Sequence, residues 1–199
     1  MAGPHQSESA PFGENGEQLL SSWAWGTKSI REWSGLSGGT IGIDDDFLRR
    51  GLFNLGANIM GRNMFGPIRG PWMDNEWKGW WGPKPGYKNP VFVLTHHPRE
   101  SVDMGNGTVF NFVTGGIKQA HEMALEVAEG KDVGVVGGVQ TIQQFLEAGL
   151  LDELHIAEVP IELHAGELLF SNPESQLKHY QHVDSVASDA VIHHTYLKK

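Results

Sequence analysis

The chain has 199 residues, of which 39% are hydrophobic and 20% are charged, a length and composition typical of a globular protein with one domain. Its formal net charge is -9, with only 15 Lys and Arg. Nucleic acids and anionic membranes need a basic surface, so neither is expected as a partner. The absence of Cys excludes disulfides, thiolate nucleophiles and Cys-ligated metals. A small-molecule partner is therefore expected.

Residues 1–16 are polar and rich in Gly, Pro, Ser and Glu, a composition that favours a flexible arm over a packed element. Residues 17–199 are then expected to form a single domain. The first residues carry neither a basic nor an apolar stretch, and no later segment approaches the ~18 apolar residues of a membrane span. These features predict a cytoplasmic protein.

The first half of the chain contains signals for two helices, a strand and a long loop. Apolar spacing predicts a short helix over residues 18–25. A second helix is predicted over 45–54, because Asp44–Asp46 place carboxylates at the positive end of its first turn. The apolar run 57–60 ends at a glycine, as buried strands often do. Residues 66–90 are rich in Trp, Gly and Pro and predict an aromatic loop.

The second half alternates strands with helices. Apolar, β-branched runs predict buried strands at residues 90–95, 109–113, 133–136 and 154–160. Helical spacing after glycine pairs predicts helices at residues 117–128 and 139–146. Such alternation predicts a largely parallel sheet covered by helices on both faces. Residues 179–187 and 190–196 predict a final antiparallel hairpin.

One glycine-rich segment joins a predicted strand to a predicted helix, and it runs from Val133 through Gly137 and Gly138 to Thr141. Glycine allows a backbone to approach a pyrophosphate closely, and the free N–H groups of the following helix then bind the anion. A tight turn that permits close helix packing explains the same residues equally well. The spacing differs from the G-x-G-x-x-G fingerprint.

Two further strand ends carry polar side chains. Gly61 is followed by Arg62, whose planar fork of donors suits phosphate, although a surface Arg after a turn is the commoner case. Thr95, His96 and Arg99 follow the strongest predicted strand. Open α/β sheets bind ligands at the carboxyl ends of their strands. The three ends together favour a ligand site at one edge of the sheet.

These segments, in this order, resemble the dihydrofolate reductase-like family that includes the reductase domain of bacterial riboflavin biosynthesis, especially its stand-alone bacterial members. The similarity runs from roughly residue 3 to residue 170, and the matching blocks are residues 56–66, 79–82, 90–99, 110–117, 137–138 and 149–155. The resemblance implies a three-layer α/β/α fold with a mostly parallel central sheet and a C-terminal antiparallel hairpin. It also implies a homodimer.

The resemblance further implies an NADPH-dependent reductase that transfers a hydride to a small flat carbonyl, imine or pterin-like substrate. The cofactor phosphates would lie at Gly61, Arg62 and Asn63. The pyrophosphate would contact the glycine-rich segment, which comprises Gly137, Gly138, Val139, Gln140 and Thr141. Thr95, His96 and Arg99 would face the adenosine ribose, where an extra cation selects the 2'-phosphate of NADPH.

A proton donor is suggested by the same resemblance. Asp45 precedes Gly61 by 16 residues, a spacing similar to that of the substrate-binding carboxylate of dihydrofolate reductases. Capping of a helix is the alternative, and it is the favoured interpretation. Trp25, Trp72 and Trp81 are candidates to stack on a flat substrate, with core or lid packing as the alternative.

The ten His residues do not predict a metal site. His179 and His182, and the adjacent pair His193 and His194, fall in predicted strands, where residues at such spacings face opposite sides of the sheet. Function is therefore expected to rest on the cofactor and the residues that bind it.

The sequence departs from its relatives in two places. Relatives open with an apolar strand that lies inside the sheet and borders the nicotinamide, whereas only Met1 and Ala2 precede the stretch that matches Gly3–Ser7. The usual first strand is therefore expected to be absent, with a truncated start, another segment or subunit in its place, or lost activity as alternatives. His164 and Ala165 replace a glycine-rich turn. The alternative function is a non-catalytic or repurposed scaffold.

Overall fold

The structure is a computed structural model that describes residues 20–66, 70–162 and 164–199. The predicted N-terminal arm, residues 1–16, lies outside the described residues, and so does the start of the helix predicted over 18–25. Within the described ranges the chain forms short helices and two β-sheets.

The helices are α1 (Ser22–Trp25), α2 (Lys28–Trp33), α3 (Ile43–Leu52), α4 (Arg62–Phe65), α5 (Gly116–Val127), α6 (Val139–Glu147) and α7 (Pro173–Gln176). The strands are β1 (Leu55–Gly61), β2 (Pro90–Leu94), β3 (Val102–Asp103), β4 (Val109–Val113), β5 (Asp132–Val135), β6 (Glu153–Glu158), β7 (Tyr180–Ala187) and β8 (Ile192–Lys198). The long predicted elements are confirmed with shifts at their ends. The sequence reading missed α2, β3 and α7, which are too short for periodicity to reveal.

The first sheet has five strands in the order β3-β4-β2-β1-β5. β1 pairs in parallel with β2 and β5, and β2 pairs in parallel with β4. Ala57 and Ile59 of β1 pack on one face with Ala120 and Ala124 of α5 and Phe145 of α6. Two helices therefore cover this face through small and aromatic side chains.

The opposite face of the first sheet is covered by the described part of the aromatic loop that the sequence predicts over residues 66–90. Met60 of β1 and Phe110 of β4 are buried there against Phe65, and Trp77 and Tyr87 of the loop pack on them. Burial raises the pKa of the Tyr87 phenol. An aromatic layer thus fixes the position of the strand ends on this side.

The second sheet has three antiparallel strands in the order β6-β8-β7. The predicted C-terminal hairpin is present as β7 and β8. Leu154 of β6 and Tyr180 of β7 pack against Leu146 of α6 on one face. On the other face, Phe47 of α3 stacks on His193 of β8.

The two sheets do not join. β5 ends the first sheet and β6 begins the second, and no described strand pairs with the outer edge of either. A cavity of about 1870 Å³ lies between them and is lined by Val133, Val135, His155 and Ala157 among others. The absence of the family's first strand stays a prediction, because residues 1–19 lie outside the described part of the chain.

Candidate active site

The two glycine segments meet at one wall of the cavity. The backbone N–H of Gly61 donates to the carbonyl of Gly137 over 2.7 Å. A Cβ on Gly61 would lie only 2.5 Å from Oγ1 of Thr141. Gly137 has a φ of 110°, a conformation that side chains disfavour. The close approach of the β1 end to the β5 end therefore depends on glycine.

The N-terminus of α6 lies at this wall. Gly138 is its N-cap residue and supplies no side-chain hydrogen bond to the first turn. Val139, Gln140 and Thr141 follow, and all three line the cavity. The first turn of this nine-residue helix thus presents backbone N–H groups and the positive end of the helix dipole beside the cavity, which is an arrangement that binds anions.

Arg62 and Asn63 continue from Gly61 into α4, and both line the cavity. The Arg62 guanidinium donates from Nη1 to the carbonyl of Gly70. Its Cζ lies 3.8 Å from the centre of the Trp72 ring. Stacking on this ring holds the Arg62 cation in one orientation at the cavity wall.

The end of β2 contributes Thr95 and His96 to the same cavity. Thr95 is buried, and its Oγ1 accepts a hydrogen bond of 3.1 Å from the backbone N–H of His97. His96 is exposed. The three strand ends predicted to form one site therefore do lie around a single cavity.

Arg99 does not reach the cavity. Its Nη2 donates to the carbonyl of Asn75 over 2.7 Å and also to the carbonyl of Trp77. Its Cζ lies 4.9 Å from the centre of the Trp72 ring, within the aromatic layer. Burial lowers the pKa of Arg99. The structure separates Arg99 from Thr95 and His96, and its role at the ribose stays a prediction.

The three candidate Trp residues divide in the same way. Trp25 and Trp81 line the cavity, and Trp81 is anchored by a 2.8 Å hydrogen bond from Nε1 to the carbonyl of Met64. Trp72 does not line the cavity, and its ring contacts Arg62 and Arg99. For Trp72 the geometry favours packing over substrate stacking.

Asp45 lies outside the large cavity. It is 3% exposed, and its Oδ1 accepts a 2.6 Å hydrogen bond from the backbone N–H of Ser29. Ser29 lies in the first turn of α2, whose N-terminal N–H groups need acceptors. The capping interpretation thus fits the geometry, although the helix that Asp45 stabilises is α2 rather than its own.

A cluster that the sequence reading missed lies on the second sheet. His155 Nε2 is 2.9 Å from His193 Nδ1, and His193 Nε2 is 2.8 Å from Asp44 Oδ1. His155 lines the cavity, whereas His193 is fully buried. Burial, together with the nearby His193, Arg50 and His194, lowers the pKa of His155 to about 4.

The β6-β8 register explains why this cluster was missed. Ala157 pairs with His193, so His155, two residues away, lies on the same face as His193. Across the described ranges, no group of three or more His, Asp or Glu is arranged to hold a metal ion. None of the helices in these ranges has the length and apolar composition to cross a membrane.

Residues 54–193 match the family model of the RibD C-terminal domain. A protein from Shewanella sp. PV-4 assigned to riboflavin biosynthesis has a similar structure, with a TM-score of 0.56 and 25% identity over 84% of this chain and 87% of the other. A pyrimidine reductase-like protein from Corynebacterium diphtheriae shares the fold, with a TM-score of 0.50 and 17% identity over 83% and 85% of the two chains. No curated protein sequence matches. The chain belongs to the RibD C-terminal domain family.

Proposed function

We propose that this protein is an NADPH-dependent reductase that transfers a hydride to a small flat carbonyl, imine or pterin-like substrate. The observation that carries the proposal is the contact between Gly61 and the segment Gly137–Thr141 at the cavity wall. This contact occurs in a chain of the RibD C-terminal domain family. The similar Shewanella protein is itself assigned to riboflavin biosynthesis, which supports a reductase of this type.

The residues present fit a dinucleotide. A pyrophosphate needs a backbone free of side chains and a set of N–H donors, and Gly137, Gly138 and the first turn of α6 provide both. Arg62 and Asn63 are placed to contact a second phosphate from the end of β1. NADPH would supply the hydride, and the protein would hold the acceptor carbon beside it and exclude water.

A preference for NADPH over NADH is proposed on the basis of the resemblance and of the donors at the cavity. Arg62 is a permanent cation in the cavity lining, and His96 is an exposed imidazole in the lining of the same cavity. Both suit a 2'-phosphate. Arg99, which was the other candidate for this role, points into the aromatic layer.

The substrate would occupy the part of the cavity with aromatic walls. Trp25, Trp81 and Phe47 line it, and aromatic side chains stack readily on flat heteroaromatic molecules. Arg50 also lines this cavity, with its Cζ 4.2 Å from the centre of the Phe47 ring. A flat substrate with a polar edge suits these walls. A homodimer stays a prediction.

One observation favours a second candidate function. The cavity between β5 and β6 is much larger than a site for a dinucleotide requires, because no described strand separates the two sheets. A repurposed scaffold that binds a nucleotide without reducing a substrate would tolerate such a gap. NADPH binding without oxidation by any carbonyl or imine would favour this function.

The test is a fluorescence titration of the purified protein with NADPH and, separately, with NADH, with the Trp residues as donors to the reduced nicotinamide. We expect saturable quenching that is tighter with NADPH. In Gly61→Ala the new methyl group would collide with Thr141, so the NADPH affinity should fall by at least about tenfold, or about 1.4 kcal/mol.

Gly26→Ala is the matched control, because a Cβ there would meet no atom within 4 Å and the residue is exposed. It should bind NADPH as the unmodified protein does. Equal NADPH affinity in the unmodified protein and in Gly61→Ala would show that the glycine contact is not part of the cofactor site. No quenching at all by folded protein would refute the cofactor proposal.

A further inference from the structure

Three side chains from distant parts of the chain form a continuous hydrogen-bonded row. Asp44 lies in the first turn of α3, His193 in β8 and His155 in β6. The side chain of Asp44 is 23% exposed and that of His193 is fully buried. His155 lines the large cavity. The row therefore connects the solvent-accessible surface to the cavity through a buried imidazole.

Aromatic contacts hold both imidazoles in place. The Phe47 ring stacks on His193 with a centroid distance of 4.1 Å and on His155 at 4.8 Å. Trp23 of α1 contacts His193 edge-on at 5.4 Å. With their faces covered, the two rings keep the orientation in which their nitrogen atoms point at each other.

The charges around His155 favour its neutral form. Arg50 of α3, together with His193 and His194 of β8, faces it and disfavours a second positive charge, and burial lowers its pKa further, to about 4. Asp44 is the acidic group of the row, and His193 separates it from His155. At neutral pH His155 therefore carries a single ring proton.

The hydrogen bonds constrain where that proton resides. An ionised Asp44 only accepts, so Nε2 of His193 donates to it, and a His193 ring that carries one proton then has an acceptor at Nδ1. Nε2 of His155 must then donate to His193. Nδ1 of His155 is left as a lone pair with no hydrogen-bond partner in the described part of the chain.

We propose that Asp44, His193 and His155 form a proton relay that ends at Nδ1 of His155 and delivers the proton that completes the reduction. The inference rests on the proposed reductase function. Asp44 is the group that holds a proton at the far end of the row, and His193 passes it on. His155 is the group that faces the substrate.

The proton transfer is balanced at each atom. When Nδ1 of His155 takes a proton from water in the cavity, the Nε2 proton of His155 passes to Nδ1 of His193 and the Nε2 proton of His193 passes to Asp44, so that both rings carry Nδ1–H. Nδ1 of His155 then gives its proton to the oxygen or nitrogen of the acceptor, whose carbon has gained the hydride of the proposed reaction. Nε2 of His155 regains a proton from Nδ1 of His193, Nε2 of His193 regains one from Asp44, and neither imidazole becomes charged.

The first test needs no substrate. Nitrogen-15 NMR of the histidine rings in the full chain at pH 7 should show His155 and His193 neutral, both with the proton on Nε2. In Asp44→Leu, which removes the acceptor, His193 should lose this preference and show an increased fraction of the Nδ1–H tautomer. A charged His155 at pH 7, or His155 and His193 tautomers unaffected by Asp44→Leu, would overturn the relay.

The second test uses NADPH with phenanthrenequinone, a flat dicarbonyl probe. His155→Ala should lower kcat by about 100-fold, the scale of general acid catalysis, with little change in the NADPH affinity. Added imidazole should restore part of the rate, which a structural role of His155 would not allow. His182→Gln is the control, since His182 is exposed and lies on β7 outside the cavity lining.

The two failures can be told apart. Unchanged kcat in His155→Ala, or a loss that imidazole cannot rescue, would overturn the relay and leave the reductase proposal intact. If the unmodified protein binds NADPH but reduces no probe, the proposed function fails. The ring tautomers then decide whether the hydrogen-bonded row exists in solution.

Discussion

The two sheets contribute to the cavity by opposite means. The first sheet offers backbone: Gly61 and Gly137 are joined by a backbone hydrogen bond of 2.7 Å, and a side chain on Gly61 would collide with Thr141. The second sheet offers side chains, because His155 and His193 are linked to Asp44. In the proposed reaction, cofactor binding would depend on the absence of a side chain at Gly61 in one wall, and proton supply would depend on the register of side chains in the other.

The largest expected effect separates stability from cofactor binding. His193→Leu leaves both the Asp44 carboxylate and Nε2 of His155 without their partner, and unpaired polar groups of this kind cost about 1–3 kcal/mol each. We expect a loss of about 3 kcal/mol in the free energy of unfolding, measured by urea denaturation. The NADPH affinity of the folded fraction should remain unchanged.

His194→Leu is the matched control for this variant. His194 is the neighbouring residue on β8, and its partially exposed side chain pairs with Glu158 on the surface. Exposed polar pairs of this kind contribute little, so its loss should cost less than about 1 kcal/mol. Equal stability of the two variants would show that the buried row contributes no more to the free energy of unfolding than the surface pair does.

The next effect concerns the first sheet and compares two arginines that stack on the same ring. Arg62 lines the cavity and Arg99 does not, although both contact Trp72. Arg62→Ala should weaken NADPH binding by about 1.5–3 kcal/mol, the range for charge-assisted hydrogen bonds. Arg99→Ala should leave the affinity within about twofold, as judged by calorimetric titration. The reverse order would place the 2'-phosphate at the aromatic layer.

His155 in the second sheet should make stability depend on pH. The unfolded chain protonates His155 near its ordinary pKa of 6.5, whereas the folded protein does so only near 4. The unfolded state therefore binds more protons between these values, and stability falls as the pH is lowered from about 6.5 to about 4. The expected loss is about 1–2 kcal/mol, reduced because the ring is partly exposed.

His155→Gln should flatten this part of the curve of unfolding free energy against pH. His96→Gln, which changes an exposed imidazole at the first sheet, should leave it unaltered. A decline of the same size in both variants would assign the pH dependence to other groups.

The smallest effect concerns Asp45, which belongs to neither wall. Asp45→Ala removes the acceptor for the Ser29 N–H, so we expect a loss of about 1 kcal/mol in stability, typical of a capping residue. The NADPH affinity of the folded protein and its rate of probe reduction should not change. Asp45→Asn keeps an acceptor oxygen and should recover most of the stability. A large fall in kcat with unchanged stability would instead support Asp45 as the proton donor.

Local patterns predicted most of the first sheet. The run Val109–Val113 is a strand with the expected bounds, because a continuous β-branched and aromatic run has few other stable forms. The glycine segment was recognisable for a similar reason, since its strand, turn and helix start are contiguous. The direction of Arg99 was not predictable, because it depends on carbonyls of the aromatic loop, at Asn75 and Trp77.

The histidine row is long-range in origin. Asp44 and His193 are separated by 149 positions along the chain, and their contact requires both the β6-β8 register and the packing of α3 on the second sheet. Neither is encoded in a local pattern. The gap between β5 and β6 depends on the order of the strands in the two sheets, which no local pattern encodes. Only the resemblance to the family implied that a strand is absent.

The most direct test of the proposed cofactor site is a crystal structure of the protein grown with NADP⁺. We expect the pyrophosphate within hydrogen-bonding distance of the backbone N–H groups of Gly138–Thr141, with the nicotinamide inside the cavity that His155 lines. A cofactor bound elsewhere, or none bound at millimolar concentration in a well-ordered crystal, would contradict it.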